Sequence, residues 1–213
     1  MTSTVHSPEA TPPERLTIDV SDLPTTTFGR RSTTLWGTVG FMVIEGTTLI
    51  VTAASLLYIR GNFETWPPRP ILPPELGLPT VVLLLLLVKL VPARLCVRAA
   101  KRLDTSATRR WLAVALLLGV AALGFRLLEF QSLNVRWDTN AYGSVVWTLL
   151  GFHTFLLAFD ALETAALVLL FHSEDRLRTK HYTDAEDASI YEYFLSLSWV
   201  PLYALVYLLP RAG

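Results

Sequence analysis

Five long apolar stretches, separated by short polar segments, run through the chain from residue 33 onward. Each is close to the roughly 20 residues that an α-helix needs to cross a hydrocarbon core of about 30 Å. A backbone in lipid has to satisfy its own hydrogen bonds, so stretches of this length are predicted to be helices. They cover about Thr33–Tyr58, Leu76–Val97, Arg110–Phe130, Tyr142–Phe171 and Ala188–Leu209. The expected fold class is an all-α integral membrane bundle of five transmembrane helices.

The segment before the first stretch has a different composition. Residues 1–31 are rich in Ser, Thr, Pro and acidic side chains and hold too little apolar surface for a core. They are predicted to be a disordered or loosely packed N-terminal tail, followed by a membrane domain over residues 32–213. The tail lacks a basic start, an apolar run and a small-residue cleavage site, so it is not expected to be a secretory signal peptide.

Basic residues in the loops predict how the bundle lies in the membrane. Twelve of the eighteen Lys and Arg residues fall on the side of the N-terminus, most densely between the second and third helices, and four fall on the opposite side. Cytoplasmic loops carry the excess of Lys and Arg in membrane proteins. The N-terminus is therefore predicted to be cytoplasmic and the C-terminus outside, as five spans require.

Composition agrees with the membrane class and removes several others. Hydrophobic residues make up 52% of the 213 residues, and the formal net charge is +0, so no overall field points to a nucleic acid. The single cysteine, Cys96, excludes an internal disulfide and a cysteine metal cluster. Aromatic residues near the predicted helix ends are expected to form an interfacial belt; they are Trp66, Trp111, Trp199, Tyr58, Tyr142 and Tyr207.

Six ionisable side chains inside the predicted spans are the candidate site residues. Each costs at least about 2.5 to 3.5 kcal/mol in hydrocarbon, so we expect them to face partners, water or the bundle interior. They are Glu45 on the first helix, Arg126 and Glu129 on the third, and His153, Asp160 and Glu163 on the fourth.

Spacing suggests how these groups pair. Arg126 and Glu129 are three residues apart, share a helix face and are predicted to form a local ion pair. His153, Asp160 and Glu163 follow one another at seven and three residues, which predicts a polar stripe directed at an interior groove. The carboxylates fit either a proton relay or interhelical polar clamps.

Metal, haem and soluble-enzyme chemistry find little support in the sequence. A di-metal bundle needs Glu-x-x-His pairs on two helices, and the chain has none. With four histidines in all, a bis-imidazole haem site inside the membrane is not expected, nor is a metal site. No phosphate-cradling glycine loop, G-x-S-x-G elbow or H-E-x-x-H motif is present, so no catalytic residues are assigned.

Four motifs in order along the chain resemble the subunit III family of haem–copper respiratory oxidases. The family's first shared helix reads W-G-x-x-x-F-x-x-S-E, which corresponds to Trp36 through Glu45, and a W-P-P loop follows at Trp66. A Gln-x-x-Glu-aromatic pattern corresponds to Arg126 through Phe130, with Arg126 in place of glutamine. Y-G-S and G-F-H correspond to Tyr142-Gly143-Ser144 and Gly151-Phe152-His153.

The last helix resembles the family's F-E-A-A-A-W-Y-W-H-F-V-D-V-V-W pattern. Glu186, Tyr191, Phe194 and Trp199 correspond, among others, whereas Tyr193 and Ser196 replace the family's His and Asp; Ile44 and Leu156 depart from it in earlier helices. Together the matches cover about residues 33 to 210.

The resemblance implies a short, five-helix form of an accessory subunit without redox centres of its own. Haem and copper are expected in partner subunits I and II, and this chain would stabilise subunit I, hold phospholipid and support proton uptake in a bacterial inner membrane. The resemblance further implies that Glu45, Glu129 and His153 are interior polar contacts, with Tyr142 and Trp199 packed beside them.

Three other functions fit parts of the pattern. The chain could serve a quinol oxidase or a nitric oxide reductase, where related subunits occur. It could be a small transporter built on Glu45, Asp160 and Glu163, although internal repeats and broken helices, which are typical of transporters, are not evident in the sequence. It could also be an assembly protein that is absent from the mature enzyme.

Overall fold

Five long helices make up the part of the chain that the computed structural model describes, residues 33–173 and 177–212. They are α1 (Thr33–Arg60), α2 (Gly77–Lys101), α3 (Thr105–Glu129), α4 (Ala141–His172) and α5 (Thr179–Tyr203). All five are long and apolar enough to span a membrane. The prediction of an all-α bundle with five such helices is confirmed; the predicted tail, residues 1–31, lies outside the described residues.

Helix ends differ most from the prediction where the helices continue beyond their apolar part. α3 begins five residues before Arg110 because the side chain of Asp104 accepts a hydrogen bond from the backbone N–H of Ala107 at 2.9 Å and caps the helix. That N–H and the Ser106 hydroxyl stabilise the carboxylate, so the pKa of Asp104 lies below its ordinary value. Hydropathy detects the immersed part of a helix and not its polar first turns.

The end of α5 is irregular. Pro201 lies in its last turn, and the chain continues as a π-helical turn, Ala204–Leu208, and a 3₁₀ turn, Leu209–Arg211. The guanidinium of Arg211 donates to the carbonyl oxygen of Tyr207 at 2.6 Å and also to that of Pro74 in the loop before α2. These bonds tie the C-terminal turn to the α1–α2 connection.

The helices form a ring of four with the fifth outside it. α2 packs on α3 and α5, and α4 packs on α3 and α5, while α1 lies against α4 and α5. Most of the α1 surface is therefore not covered by other parts of the chain. We call the end that holds the start of α1 and the α2–α3 turn the inner end, which is cytoplasmic in the predicted orientation, and the opposite end the outer end.

Two apolar clusters fill the ring. The larger one lies towards the outer end and includes Leu86, Leu150, Leu157, Leu195 and Trp199. The smaller one lies towards the inner end and contains Cys96, Ala100, Leu112, Leu167, Phe171, Tyr182, Ala185 and Ala188. Buried polar side chains separate the two along α2, α4 and α5.

Aromatic residues do not all occupy the predicted interfacial belt. Tyr142, Trp199 and Tyr207 are completely or almost completely buried in the larger apolar cluster. Trp66 reaches in from the α1–α2 loop and packs edge-on against Tyr142, with 4.8 Å between ring centroids. These rings are core residues because Trp66 covers Tyr142 and side chains of α3 and α4 pack against Trp199.

Gly143 lets the α3–α4 loop lie directly against α4. The Asn140 side chain caps α4 by accepting from the N–H of Gly143 at 2.9 Å, and the Trp147 indole donates to the carbonyl of Val135 at 2.8 Å. A Cβ on residue 143 would collide with the carbonyl oxygen of Arg136 and approach Val135 Cγ2 to 2.9 Å. Glycine is required by this close approach.

We expect Gly143→Ala to destabilise the bundle by about 1 to 3 kcal/mol, because the methyl group overpacks the loop contact. Gly151→Ala, eight residues further along α4, is a matched control, since a Cβ there meets no atom within 4 Å. Thermal unfolding in detergent measures both. Equal melting temperatures for the two variants would contradict the proposed contact.

Candidate functional site

A buried ion cluster lies at the centre of the bundle and joins three helices. Lys89 is the middle residue of α2 and forms an ion pair with Asp160 of α4. Its Nζ atom is 3.6 Å from Oε1 of Glu192 on α5. All three side chains are at least 95% buried. We call Lys89, Asp160 and Glu192 the central ion cluster.

The backbone around the central ion cluster makes room for it. A Cβ on Gly119 of α3 would lie 3.2 Å from Lys89 Nζ, so the absence of a side chain there leaves space for the ammonium group. The cluster holds one cation and two carboxyl groups, and the ammonium is closer to Asp160 than to Glu192. The Oε1 atom of Glu192 has no hydrogen-bond partner among the described residues.

A second set of buried charges, the outer polar cluster, consists of Arg126, Glu129 and Tyr207. The Arg126 Nη1 group donates to both carboxylate oxygens of Glu129, at 2.9 and 3.0 Å, which confirms the pairing expected from their spacing. The hydroxyl of Tyr207, in the π-helical turn that follows α5, also donates to Glu129. The pair is thus local to α3, and the tyrosine extends it across the bundle.

Trp199 and His153 complete this region. The guanidinium carbon of Arg126 lies 3.6 Å from the centroid of the Trp199 ring, a cation–π contact in a desolvated position. On the other side, the His153 ring packs against Trp199 with 4.9 Å between centroids, and its Nε2 atom is 3.2 Å from the carbonyl oxygen of Leu195. Nε2–H therefore donates, and the imidazole joins α4 to α5.

The remaining predicted residues lie apart from these clusters. Glu45 of α1 is half-buried beside the hydroxyl of Tyr191 on α5. Tyr142 is buried beneath Trp66 and is not part of an ion pair. Glu163 differs from the prediction, because it lies on the exposed side of α4 and does not continue the interior stripe of His153 and Asp160. Three residues after Asp160 the helix has turned far enough to move it off the ring interior.

Three residues of these clusters were not among the predicted site residues, namely Lys89, Glu192 and Tyr207. Lys89 had a usable signal, since a lone cation at the centre of an apolar span requires an anionic partner in another helix. Glu45, Asp160, Glu163 and Glu192 were the available anions near mid-span. The sequence does not say which of them faces α2, because that depends on helix rotation.

A cavity opens near the inner end, between α2 and α5. Its volume is about 720 Å³, and its lining is basic on α2 and mixed on α5. The residues that face it include Arg94, Arg98, Lys101, Thr183, Glu186 and Tyr193. Over residues 33–173 and 177–212, no group of three or more His, Cys, Asp or Glu side chains is arranged to hold a metal ion.

A ring of apolar helices with buried, largely self-paired charges defines a polytopic membrane protein. Comparison with known families gives its identity more closely: residues 35–210 match the family described as cytochrome c oxidase subunit III. That match covers all five helices, so the chain belongs to the cytochrome c oxidase subunit III family.

Individual relatives agree with the family. The chain is 28% identical to a protein named cytochrome c oxidase subunit 3 from Synechocystis sp., over 82% of this chain and 75% of the relative. It is 25% identical to the protein of the same name from Thermostichus vulcanus and 26% identical to that from Alkalihalophilus pseudofirmus. Each of these two alignments covers 82% of this chain and 87% of the relative.

We expect Lys89→Met to destabilise the bundle by about 3 to 5 kcal/mol, because it leaves two buried carboxyl groups without their cation. Chemical or thermal unfolding in detergent measures the loss. The control is the triple variant Lys89→Met, Asp160→Leu and Glu192→Leu, in which apolar side chains replace the whole cluster and most of the stability is expected to return. A single variant as stable as the parent would show that the ion cluster does not form.

Proposed function

We propose that this chain is the accessory, non-redox subunit III of a bacterial haem–copper terminal oxidase. It packs against the haem-bearing subunit I in the cytoplasmic (inner) membrane, with its N-terminus in the cytoplasm, and stabilises that subunit during aerobic respiration. The observation that carries the proposal is the family match over residues 35–210. The aligned relatives are named as cytochrome c oxidase subunits, which favours this enzyme over a quinol oxidase or a nitric oxide reductase.

The chemistry of the interior supports an accessory role. His153 is the histidine that lies within the described bundle core, and its ring is engaged by Leu195 and Trp199. A haem held by two imidazoles needs a second histidine at the same depth on a facing helix. His172 and His181 lie at the inner ends of α4 and α5. Electron transfer to O2 would then belong to the partner subunits.

We expect a tagged form of this chain, purified from its native membrane in mild detergent, to bring a haem-bearing subunit with it in equal amounts. The absorbance spectrum and the subunit ratio measure this. The matched control is the isolated chain expressed without the other subunits, which is expected to show no haem bands. Haem bands in the isolated chain, or purification without any haem-bearing partner, would contradict the accessory role.

Proton-uptake support is part of the proposal. Carboxyl groups lie at the inner end of α5, with Asp184 and Glu186 in its early turns. Such groups bind and release protons next to the cytoplasmic face in the predicted orientation. The continuity of α1 through α4 argues against a transporter, because transporter sites use broken helices.

Phospholipid binding at the cavity near the inner end is also part of the proposal. Arg94, Arg98 and Lys101 place three cations beside a space of about 720 Å³, with Ile190 and Val97 as apolar lining. An anionic headgroup fits the cations, and an acyl chain fits the apolar side chains along α2 and α5. The position near the inner end suits a lipid of the cytoplasmic leaflet.

We expect the double variant Arg94→Gln, Arg98→Gln to bind anionic phospholipid roughly 30-fold more weakly, because each basic side chain near a lipid surface contributes about 1 kcal/mol. Quantitative lipid analysis of the purified complex measures this. The control is Arg109→Gln, Arg110→Gln on α3, which removes the same charge at the same end of the bundle but outside the cavity. Equal lipid content in both variants would remove the cavity from the proposal.

A further inference from the structure

Glu163 is an exposed carboxylate near the middle of the membrane. Lys89 is the central residue of α2 and pairs with Asp160, which places Asp160 near the mid-depth of the bundle. Glu163 follows three residues later on α4, so it is about 4.5 Å nearer the inner end. A hydrocarbon core of about 30 Å extends roughly 15 Å to each side, which leaves Glu163 about 10 Å inside it. Its short side chain does not reach the headgroups from there.

The neighbours of Glu163 within the chain are themselves acidic. Asp160, Asp184 and Asp187 lie close enough to repel it, and no cation among the described residues acts on it. Lys89, the cation of this layer, is committed to Asp160 and Glu192 inside the ring. Among the described residues, this layer of the bundle therefore has more carboxyl groups than cations, and the additional carboxyl group lies on the side of α4 that faces away from the ring.

The exposed face of α4 that lies next to Glu163 is apolar. Phe155, Phe159, Leu162 and Leu169 are all more than half exposed and follow one another at spacings of four, three and seven residues, so they share one face of α4. The rings of Phe155 and Phe159 contact each other, with 4.6 Å between centroids. An apolar face of this kind suits lipid or another helix, but the carboxylate at its edge does not suit lipid.

We propose that this face, formed by Phe155, Phe159, Leu162, Glu163 and Leu169, binds a transmembrane helix of another subunit, and that this helix presents a Lys or Arg to Glu163. The inference rests on the proposed function, in which the chain is one subunit of a complex. The partner's cation balances the carboxyl excess of the layer, and the ion pair forms in a low-dielectric position where its absence is costly.

The exposed face of α1 lacks such a feature. Its hydroxyls are satisfied within the helix, for example Thr47 and Thr52, which donate to the carbonyls of Val43 and Thr48 at 2.7 and 2.8 Å. Its carboxyl group, Glu45, lies beside Tyr191 of the same chain. The carboxyl group of α1 therefore has a hydrogen-bonding neighbour on α5, although its Oε2 atom has no partner among the described residues, whereas Glu163 is exposed on α4.

The first test is site-directed photocrosslinking in the native membrane, with Glu163 left intact. A photoreactive residue at Phe159 or Leu162 is expected to crosslink to another oxidase subunit at least about tenfold more than one at Leu117 or Val120, which lie on the exposed face of α3. Mass spectrometry of the crosslinked peptide then identifies the facing helix. Crosslinks from α4 to lipid, or to a second copy of this chain, would overturn the proposal.

The second test is a charge exchange. Glu163→Lys is expected to lower the amount of partner subunit that co-purifies by at least about tenfold, and Glu163→Gln by less, because the amide still accepts a hydrogen bond. Replacing the Lys or Arg at the crosslinked position of the partner with Glu is expected to restore assembly of the Glu163→Lys chain. A crosslinked peptide with no Lys or Arg facing residue 163 overturns the proposal, even where Glu163→Lys fails to fold.

The outcome also separates this inference from the proposed function. A haem-bearing complex that assembles normally but crosslinks through α3 retains the accessory role and removes the α4 interface. A parent chain that purifies without a haem-bearing subunit removes the accessory role itself.

Discussion

A charge inside hydrocarbon needs a partner, and this constraint determines how the bundle is put together. Lys89 lies at the centre of α2 and meets Asp160 of α4 and Glu192 of α5, so three helices must take particular rotations at once. Buried ion pairs add little net stability, but an unpaired member costs several kcal/mol. The central ion cluster therefore acts mainly against wrong helix registers. Apolar residues above and below it would pack almost as well after a rotation of α4 or α5, and the charges would not.

The outer polar cluster fixes the other half of the bundle by a related device. The family pattern has glutamine where this chain has Arg126. The structure shows what accompanies the change: Glu129 accepts two hydrogen bonds from Arg126, and the guanidinium carbon lies over the Trp199 ring. Tyr207 adds a bond from the turn after α5 to Glu129. The arginine is thus buried with a counter-charge and an aromatic face, which links α3 to α5 at the outer end, while the central ion cluster links α2, α4 and α5 below it.

Local patterns in the sequence were enough for part of this architecture. Five spans follow from apolar length, and the Arg126–Glu129 pair follows from a spacing of three on one helix. The pairing of Lys89 with Asp160 joins residues 71 positions apart, and no local rule gives the rotation that brings them together. Trp199 and Tyr207 were expected at the interface because they are amphipathic and near a predicted helix end. Their burial depends on side chains of α3 and α4 that pack against them, namely Arg126, Glu129 and His153, and hydropathy does not describe these contacts.

The two clusters differ in charge balance, and that difference separates what the chain completes alone from what it leaves to others. Arg126 and Glu129 neutralise each other, and Tyr207 adds a neutral donor. In the central layer one cation meets two buried carboxyl groups, and Glu163 adds a third on the side of α4 that faces away from the ring. If each layer of a membrane bundle tends towards neutrality, the outer polar cluster serves to stabilise the subunit itself. The central layer is then complete when a neighbouring helix contributes positive charge. Asp160 sets the register of α4 inside the ring, and Glu163 marks the side on which another helix is to cover α4.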